Sequence, residues 1–297
     1  MKTNNSVRNF AALTACVLSI SAFAHDDDFG VHREGNQFEF IDATVAKWPN
    51  NTLSYYYNHA NAPASITQAM MESTLQAAMA RWSNVCNVNF VYKGSTSRAV
   101  NLDVNDGVPT IGWGPLTGAR ASFGGYTNAW WSSTKMTDAN IIINTQPAAP
   151  GAPFDADSLP QLVGLMAHEI GHALGIQHSN VKNSIMYAAP YNSLSFQRTL
   201  RGDDVAACVK IYGASAQSNA NRALNWAEVT LPTYFAPGMG YSTDVGGNQV
   251  RTYATSKSVL AISNTTGQVA VTLDGWPAPL VAGTVATFMP SVIAAGF

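Results

Sequence analysis

His168 and His172 stand four residues apart, with Glu169 directly after the first. On a helix that spacing projects both imidazoles from one face, where they can meet a single metal ion. It also places the carboxylate to reach a metal-bound water rather than the metal. Gly175 can take a positive φ, which would end the helix and turn the chain back. His178, three residues on, could then supply a third nitrogen. Three neutral imidazoles leave one tetrahedral position open, the mark of a catalytic rather than a structural zinc site. A different zinc arrangement on such a helix takes its third ligand from a glutamate farther along the chain. No glutamate occurs between Glu169 and Glu228, which favours His178 and leaves Asp203 or Asp204 as weaker competitors. No Ser-His-Asp or Cys-His set competes, because every other histidine precedes residue 60.

The element carrying these residues is expected to be a helix opening near Asp157 or Ser158, with Pro160 in its first turn, after a proline-rich loop from Pro147 to Pro153. Upstream, Ser65-Ile66-Thr67-Gln68 reads as a capping box opening another helix. Met71, Leu75, Ala78 and Trp82 follow it as one apolar stripe facing the core. Leu53–Tyr57, Val88–Tyr92, Val100–Val104, Ala121–Tyr126 and Ala139–Asn144 read as strands between glycine and asparagine turns. Farther on, Asn221–Glu228 reads as a short helix. Gln249–Thr255, Val259–Ser263 and Gln268–Leu273 read as strands, the last two joined as a hairpin across Asn264–Gly267.

Composition narrows the function classes. The chain has 297 residues, 46% apolar and 11% charged, with 16 basic against 18 acidic residues and a net charge of −2. It is neither a disordered acidic chain nor the bearer of a strongly basic nucleic-acid surface. Lys2 and Arg8, the apolar stretch Phe10–Phe23 and the small-x-small site Ala22-Phe23-Ala24 form an export signal cut after Ala24. A membrane anchor is the weaker alternative, because the stretch is short for a bilayer. The lipoprotein-like Leu13-Thr14-Ala15-Cys16 ranks lower still. Beyond the signal no apolar run is long enough for membrane insertion. Cleavage leaves Cys86 and Cys208, which in an exported chain most simply form one disulfide, two buried free thiols being the alternative.

The string His168-Glu169-Ile170-Gly171-His172-Ala173-Leu174-Gly175-Ile176-Gln177-His178-Ser179 resembles the metzincin signature, in its matrixin (matrix-metalloprotease-like) form. Asn183-Ser184-Ile185-Met186-Tyr187 resembles the Met-turn, and Leu200 to Gly213 resembles the closing matrixin helix. The resemblance implies an α+β fold: a twisted mixed sheet, the zinc helix, a Met-turn with Met186 beneath the ligands, and a C-terminal helix, which Cys208 would pin if bridged to Cys86. It implies an edge strand that pairs with an extended protein or peptide substrate, and an aspartate of the closing helix bonded to the Met-turn backbone. It also implies one catalytic Zn2+, held by His168, His172 and His178, with Glu169 as general base on the zinc-bound water.

Ca2+ has no motif behind it: Asp103, Asp106, Asp155 and Asp157 could be ligands but are more often loop aspartates. An inhibitory prodomain cysteine, a second structural zinc and the family's Pro-x-Tyr pocket wall are not matched, since Ala188-Ala189-Pro190-Tyr191 is out of register. The expected organisation is a signal peptide (1–24), a flexible segment (25–44), a peptidase domain (45–213), a linker (214–220) and a small, mostly-β accessory domain (221–297). The functional expectation is a secreted, periplasmic or extracellular, monomeric zinc endopeptidase. A zinc-containing binding or adhesion protein without turnover is the alternative.

Overall fold

The computed structural model describes residues 38–41, 45–146, 154–181, 184–187, 199–231, 233–235, 243–253 and 256–297. The expected signal peptide, most of the 25–44 segment, the proline-rich loop and the 188–191 pocket wall lie outside these residues. The described residues divide into two units, one within 38–218 and one within 219–297.

The first unit runs β1 (Phe38–Phe40), β2 (Thr52–Asn58), α1 (Gln68–Ser83), β3 (Asn89–Ser95), β4 (Thr110–Gly114), β5 (Gly125–Ser132), β6 (Lys135–Asn144), α2 (Leu159–Ala173), β7 (Ile176–Ser179) and α3 (Gly202–Tyr212). Five strands form one sheet in the order β3-β2-β4-β6-β5. The first four are parallel, and β5 returns antiparallel along β6, with Thr127 opposite Ile141 and Ala129 opposite Ala139. The sheet is therefore mixed, as anticipated, with β5 as its antiparallel edge. β4 is buried at every residue, as a central strand covered on both faces must be.

Helix α1 buries the expected stripe: Met71, Leu75, Ala78 and Trp82 are all enclosed in the core. Its cap differs from the expectation. Thr67, not Ser65, precedes the first turn, and its side chain accepts from Met70 N. The sequence offered two hydroxyls, and the one adjacent to the helical φ/ψ run took the role. At α2 a single 3-10 turn, Ala156–Ser158, comes first. Asp155 caps it by accepting from Ser158 N at 3.0 Å and Ser158 Oγ at 2.7 Å.

Two strand expectations fail for one reason. Residues 100–104 form a loop, because Asn128 and Asn140 side chains donate to the carbonyls of Leu102, Asn101 and Val104. Asn144 likewise donates to Ala121 O and Phe123 O, so the edge strand begins only at Gly125. Carbonyls taken by asparagine amides are not free to join a ladder. β4 was not anticipated, and β1 lies within the segment expected to be flexible, pairing antiparallel with β7. Cys86 and Cys208 form a disulfide with Cα atoms 5.8 Å apart, closing a 122-residue separation and tying the end of α1 to α3.

The second unit holds α4 (Ser218–Thr230), an antiparallel meander of β8 (Thr243–Val245), β9 (Asn248–Tyr253), β10 (Ser258–Ser263), β11 (Gln268–Thr272) and β12 (Leu280–Thr284), then α5 (Val285–Ala294). The hairpin across Asn264–Gly267 forms, with Ile262 opposite Val269. α4 opens at Ser218, earlier than expected, while β8, β12 and α5 had no clear sequence signal. Leu224, Phe235, Leu260, Ile262 and Val292 fill the core. Beneath α4, Arg251 donates to Glu228 Oε2 at 2.7 Å and to Asn225 Oδ1 at 2.9 Å, a buried charge paired with a carboxylate. No helix of the described residues is long and apolar enough to cross a membrane.

Candidate metal centre and active site

Three side chains from elsewhere in the fold hold α2 by its carbonyls. Trp82 Nε1 donates to Ala167 O at 2.9 Å, Trp48 Nε1 to Ala173 O at 2.8 Å, and Tyr212 OH to Leu174 O at 2.9 Å. The last two satisfy carbonyls that a helix C-terminus leaves without partners. Gly175 follows with φ +91°, a conformation that excludes most side chains. The chain then turns into β7, which brings His178 back beside the helix.

The three histidines meet there. One nitrogen from each lies within 4.8 Å of the others, and this is the group of three or more potential metal-ligating side chains found among the described residues. His168 Nδ1 lies 2.7 Å from Ile185 O, and His172 Nδ1 lies 2.8 Å from Ile176 O. A carbonyl only accepts, so each Nδ1 carries the proton and each Nε2 presents a lone pair. Those two Nε2 atoms face each other at 3.2 Å with no proton between them. Two ligands of a tetrahedral zinc, each about 2.0–2.1 Å from the ion, stand roughly 3.3 Å apart. The donor set therefore fits a zinc-sized cation.

Electrostatics points the same way. Burial lowers the His168 pKa to about 4, with His178 adding to the effect and the Ile185 carbonyl opposing it. Burial, then His168 and His178, holds His172 well below the usual range, and burial also lowers His178. All three rings stay neutral at pH 7, as metal ligation requires.

Glu169 is buried beside them. Burial raises its pKa to about 7, against a lowering hydrogen bond from Thr127. Thr127 Oγ1 stands 2.7 Å from Glu169 Oε2 and 3.0 Å from Glu169 O. Gly125, two residues earlier on β5, leaves room for the carboxylate, since a methyl group there would stand 3.2 Å from Glu169 Oε1. Gly125 falls inside the strand expected over Ala121–Tyr126 and Thr127 just beyond it, and no local sequence signal ties either residue to Glu169, more than forty positions on.

Beneath the site, Met186 is fully buried against Gly171. The closing helix organises that turn through Asp204. This carboxylate accepts from Ile185 N at 2.9 Å, Met186 N at 3.1 Å, Arg201 N at 2.8 Å and the Ser184 hydroxyl. Burial pushes the Asp204 carboxyl up, and these four donors oppose it. Asp203 instead accepts from Ser179 Oγ at 2.6 Å. Neither aspartate joins the histidines. Of the calcium candidates, Asp155 acts as a cap and Asp106 pairs with Arg98.

Comparison with known proteins agrees with this geometry. Residues 117–213 match the matrixin family. The chain is 29% identical to karilysin of Tannerella forsythia, over 57% of this chain and 34% of that protein. It is 25% identical to metalloendoproteinase 1-MMP of Arabidopsis thaliana, over 71% of this chain and 56% of that protein. It is also 25% identical to metallopeptidase AprA of Pseudomonas marginalis, over 61% of this chain and 42% of that protein. The chain thus spans between a third and somewhat over half of the length of these relatives. The domain is matrixin-like, with the mixed sheet, helices and turn of a metzincin.

Proposed function

We propose that this chain, through its matrixin-like metzincin domain, is an exported zinc-dependent endopeptidase acting on protein substrates. The observation that carries the reading is the pair of Nε2 lone pairs 3.2 Å apart, flanked by the buried carboxylate of Glu169. His168, His172 and His178 would hold the zinc. When bound, zinc supplies Lewis acidity, making a water more acidic and polarising a peptide carbonyl.

The rest of the chemistry belongs to the chain. Glu169 takes the proton of the attacking water at its carboxylate and passes it to the departing amine, so one residue serves first as base and then as acid. Burial raises the pKa of this carboxyl in the metal-free protein, and the charge of a bound zinc would favour the carboxylate form that accepts the proton. Asp204 keeps the Ile185 carbonyl in place by binding that residue's N–H, and the carbonyl in turn fixes the proton on His168 Nδ1. An extended peptide laid along β5, the sheet edge nearest Glu169, would present its backbone to the site.

Export rests on the signal-like first 24 residues, and the Cys86–Cys208 disulfide suits an oxidising compartment. The test is cleavage of reduced, unfolded casein by the purified protein, with and without a zinc chelator, alongside Glu169→Ala. The expected result is chelator-sensitive cleavage that the variant loses by at least ~100-fold while retaining zinc. A zinc-replete variant that cleaves as fast as the parent would refute the assigned base. Absence of cleavage by zinc-replete parent protein would refute the protease reading and favour a binding role.

A further inference from the structure

Thr127 is unusual among the contacts of the site, because its one hydroxyl faces two acceptors of the same residue. Oγ1 stands 2.7 Å from Glu169 Oε2 and 3.0 Å from the Glu169 main-chain oxygen. A hydroxyl has one proton to donate and two lone pairs with which to accept. It can therefore donate to only one of these oxygens at a time, and it can accept from the other side when a proton is present there. On β5, Gly125 and Thr127 are two residues apart and so share a strand face. Gly125 provides the space the carboxylate occupies, and Thr127 provides the bond.

We infer that Thr127 is a positioning residue for the general base, acting through Glu169 and not on the substrate. The inference rests on the proposed proteolytic role of that glutamate. While Glu169 is a carboxylate, Thr127 donates to Oε2 and fixes the plane of the group, leaving Oε1 to receive the proton from the attacking water. With the proton on Oε1, Oε2 remains an acceptor and Thr127 goes on donating to it, so the plane of the carboxyl is held in both states. No proton is gained or lost by Thr127, so the hydroxyl is satisfied in both halves of the cycle. The Thr127 side chain keeps one rotamer throughout. Because the carbonyl acceptor belongs to α2 itself, the strand, the helix backbone and the base are fixed relative to one another by a single side chain.

The test compares Thr127→Val, which keeps the branched shape and removes the hydroxyl, with Thr127→Ser, which keeps the hydroxyl. Four readouts are taken: kcat and KM on a casein-derived peptide, bound zinc, the thermal midpoint, and crystal structures of parent and Thr127→Val. A hydrogen bond to a charged group is worth enough to expect a ~10- to 100-fold fall in kcat for Thr127→Val, with KM and zinc content unchanged. Thr127→Ser should recover to within about three-fold of the parent. In the Thr127→Val crystal the Glu169 carboxylate should rotate away from β5. A kcat within about two-fold of the parent, or a serine variant as slow as the valine one, would overturn the inference. Should the parent itself prove unable to cleave, the protease reading fails separately. The crystal comparison then decides for Thr127, and a Glu169 carboxylate unmoved in Thr127→Val refutes it.

Discussion

Gly171 lies between the two helical histidines, and its missing side chain is a requirement of the site. A methyl group built there would overlap Met186 Sδ outright, and would stand 2.9 Å from Trp82 Cζ2 and 3.0 Å from Met186 Cε. Neither neighbour can withdraw easily. Both are fully buried; Trp82 is bonded to Ala167 O, and the Met186 backbone is bonded to Asp204. Overpacking of this kind costs ~1–3 kcal/mol, and replacing a mid-helix glycine by alanine returns at most ~1 kcal/mol of helix propensity. Because the overlap with Met186 Sδ is outright, the upper half of that range applies, and after the propensity gain Gly171→Ala should destabilise the protein by about 1–2 kcal/mol, a fall of ~2–8 °C in the thermal midpoint. Moving Met186 also disturbs Ile185, whose carbonyl orients His168, so zinc affinity should drop by ~10- to 100-fold. The assays are chemical denaturation of the metal-free protein and zinc titration against a competing chelator. In a Met186→Ala background the added cost of Gly171→Ala should shrink, because only the Trp82 contact remains. A Gly171→Ala protein as stable and as zinc-avid as the parent would show that the thioether does not occupy this space.

Removing the Asp204 carboxylate takes one acceptor from four donors in a buried site, of which Met186 N keeps Ser184 Oγ at 3.0 Å, so Asp204→Ala should cost at least ~3 kcal/mol in denaturant unfolding, and Asp203→Asn under ~1 kcal/mol. A small Asp204→Ala effect would mean that water replaces the carboxylate. The Cys86–Cys208 bridge closes a long loop, so paired Cys86→Ser and Cys208→Ser substitution should lower stability by ~2–5 kcal/mol, with the midpoint of urea unfolding as the readout. The metal-free protein should lose stability in acid. The folded-state pKa of His168 is depressed to about 4 and its unfolded value is near 6.5, so above pH 6.5 both states are neutral and nothing changes. Between about pH 6.5 and 4 the unfolded chain takes the proton first, removing ~3 kcal/mol. Unfolding midpoints that stay flat across that window would contradict a buried, neutral His168.

How much of this was readable beforehand depends on the range of the forces involved. The helix that presents His168 and His172, the turn at Gly175, the arrival of His178 and the apolar stripe of α1 all follow from periodicity and backbone permissiveness within about a dozen residues. The sequence alone therefore determined which side chains the folded chain would gather as a possible metal centre. It did not determine where the edge strand begins, because the carbonyls of Ala121 and Phe123 are claimed by Asn144, more than twenty residues away. For the same reason Val100–Val104, a passable strand by composition, became a loop stapled by asparagines. The bond from Thr127 to Glu169, the clamps from Trp48, Trp82 and Tyr212, and the four donors gathered on Asp204 join residues whose separation in the chain carries no periodic signal. Only the folded chain brings them together. Local steric and hydrophobic preferences write the helix of His168 and His172, whereas the orientation of Glu169 and of those two rings is set by hydrogen bonds that exist only once distant segments have packed.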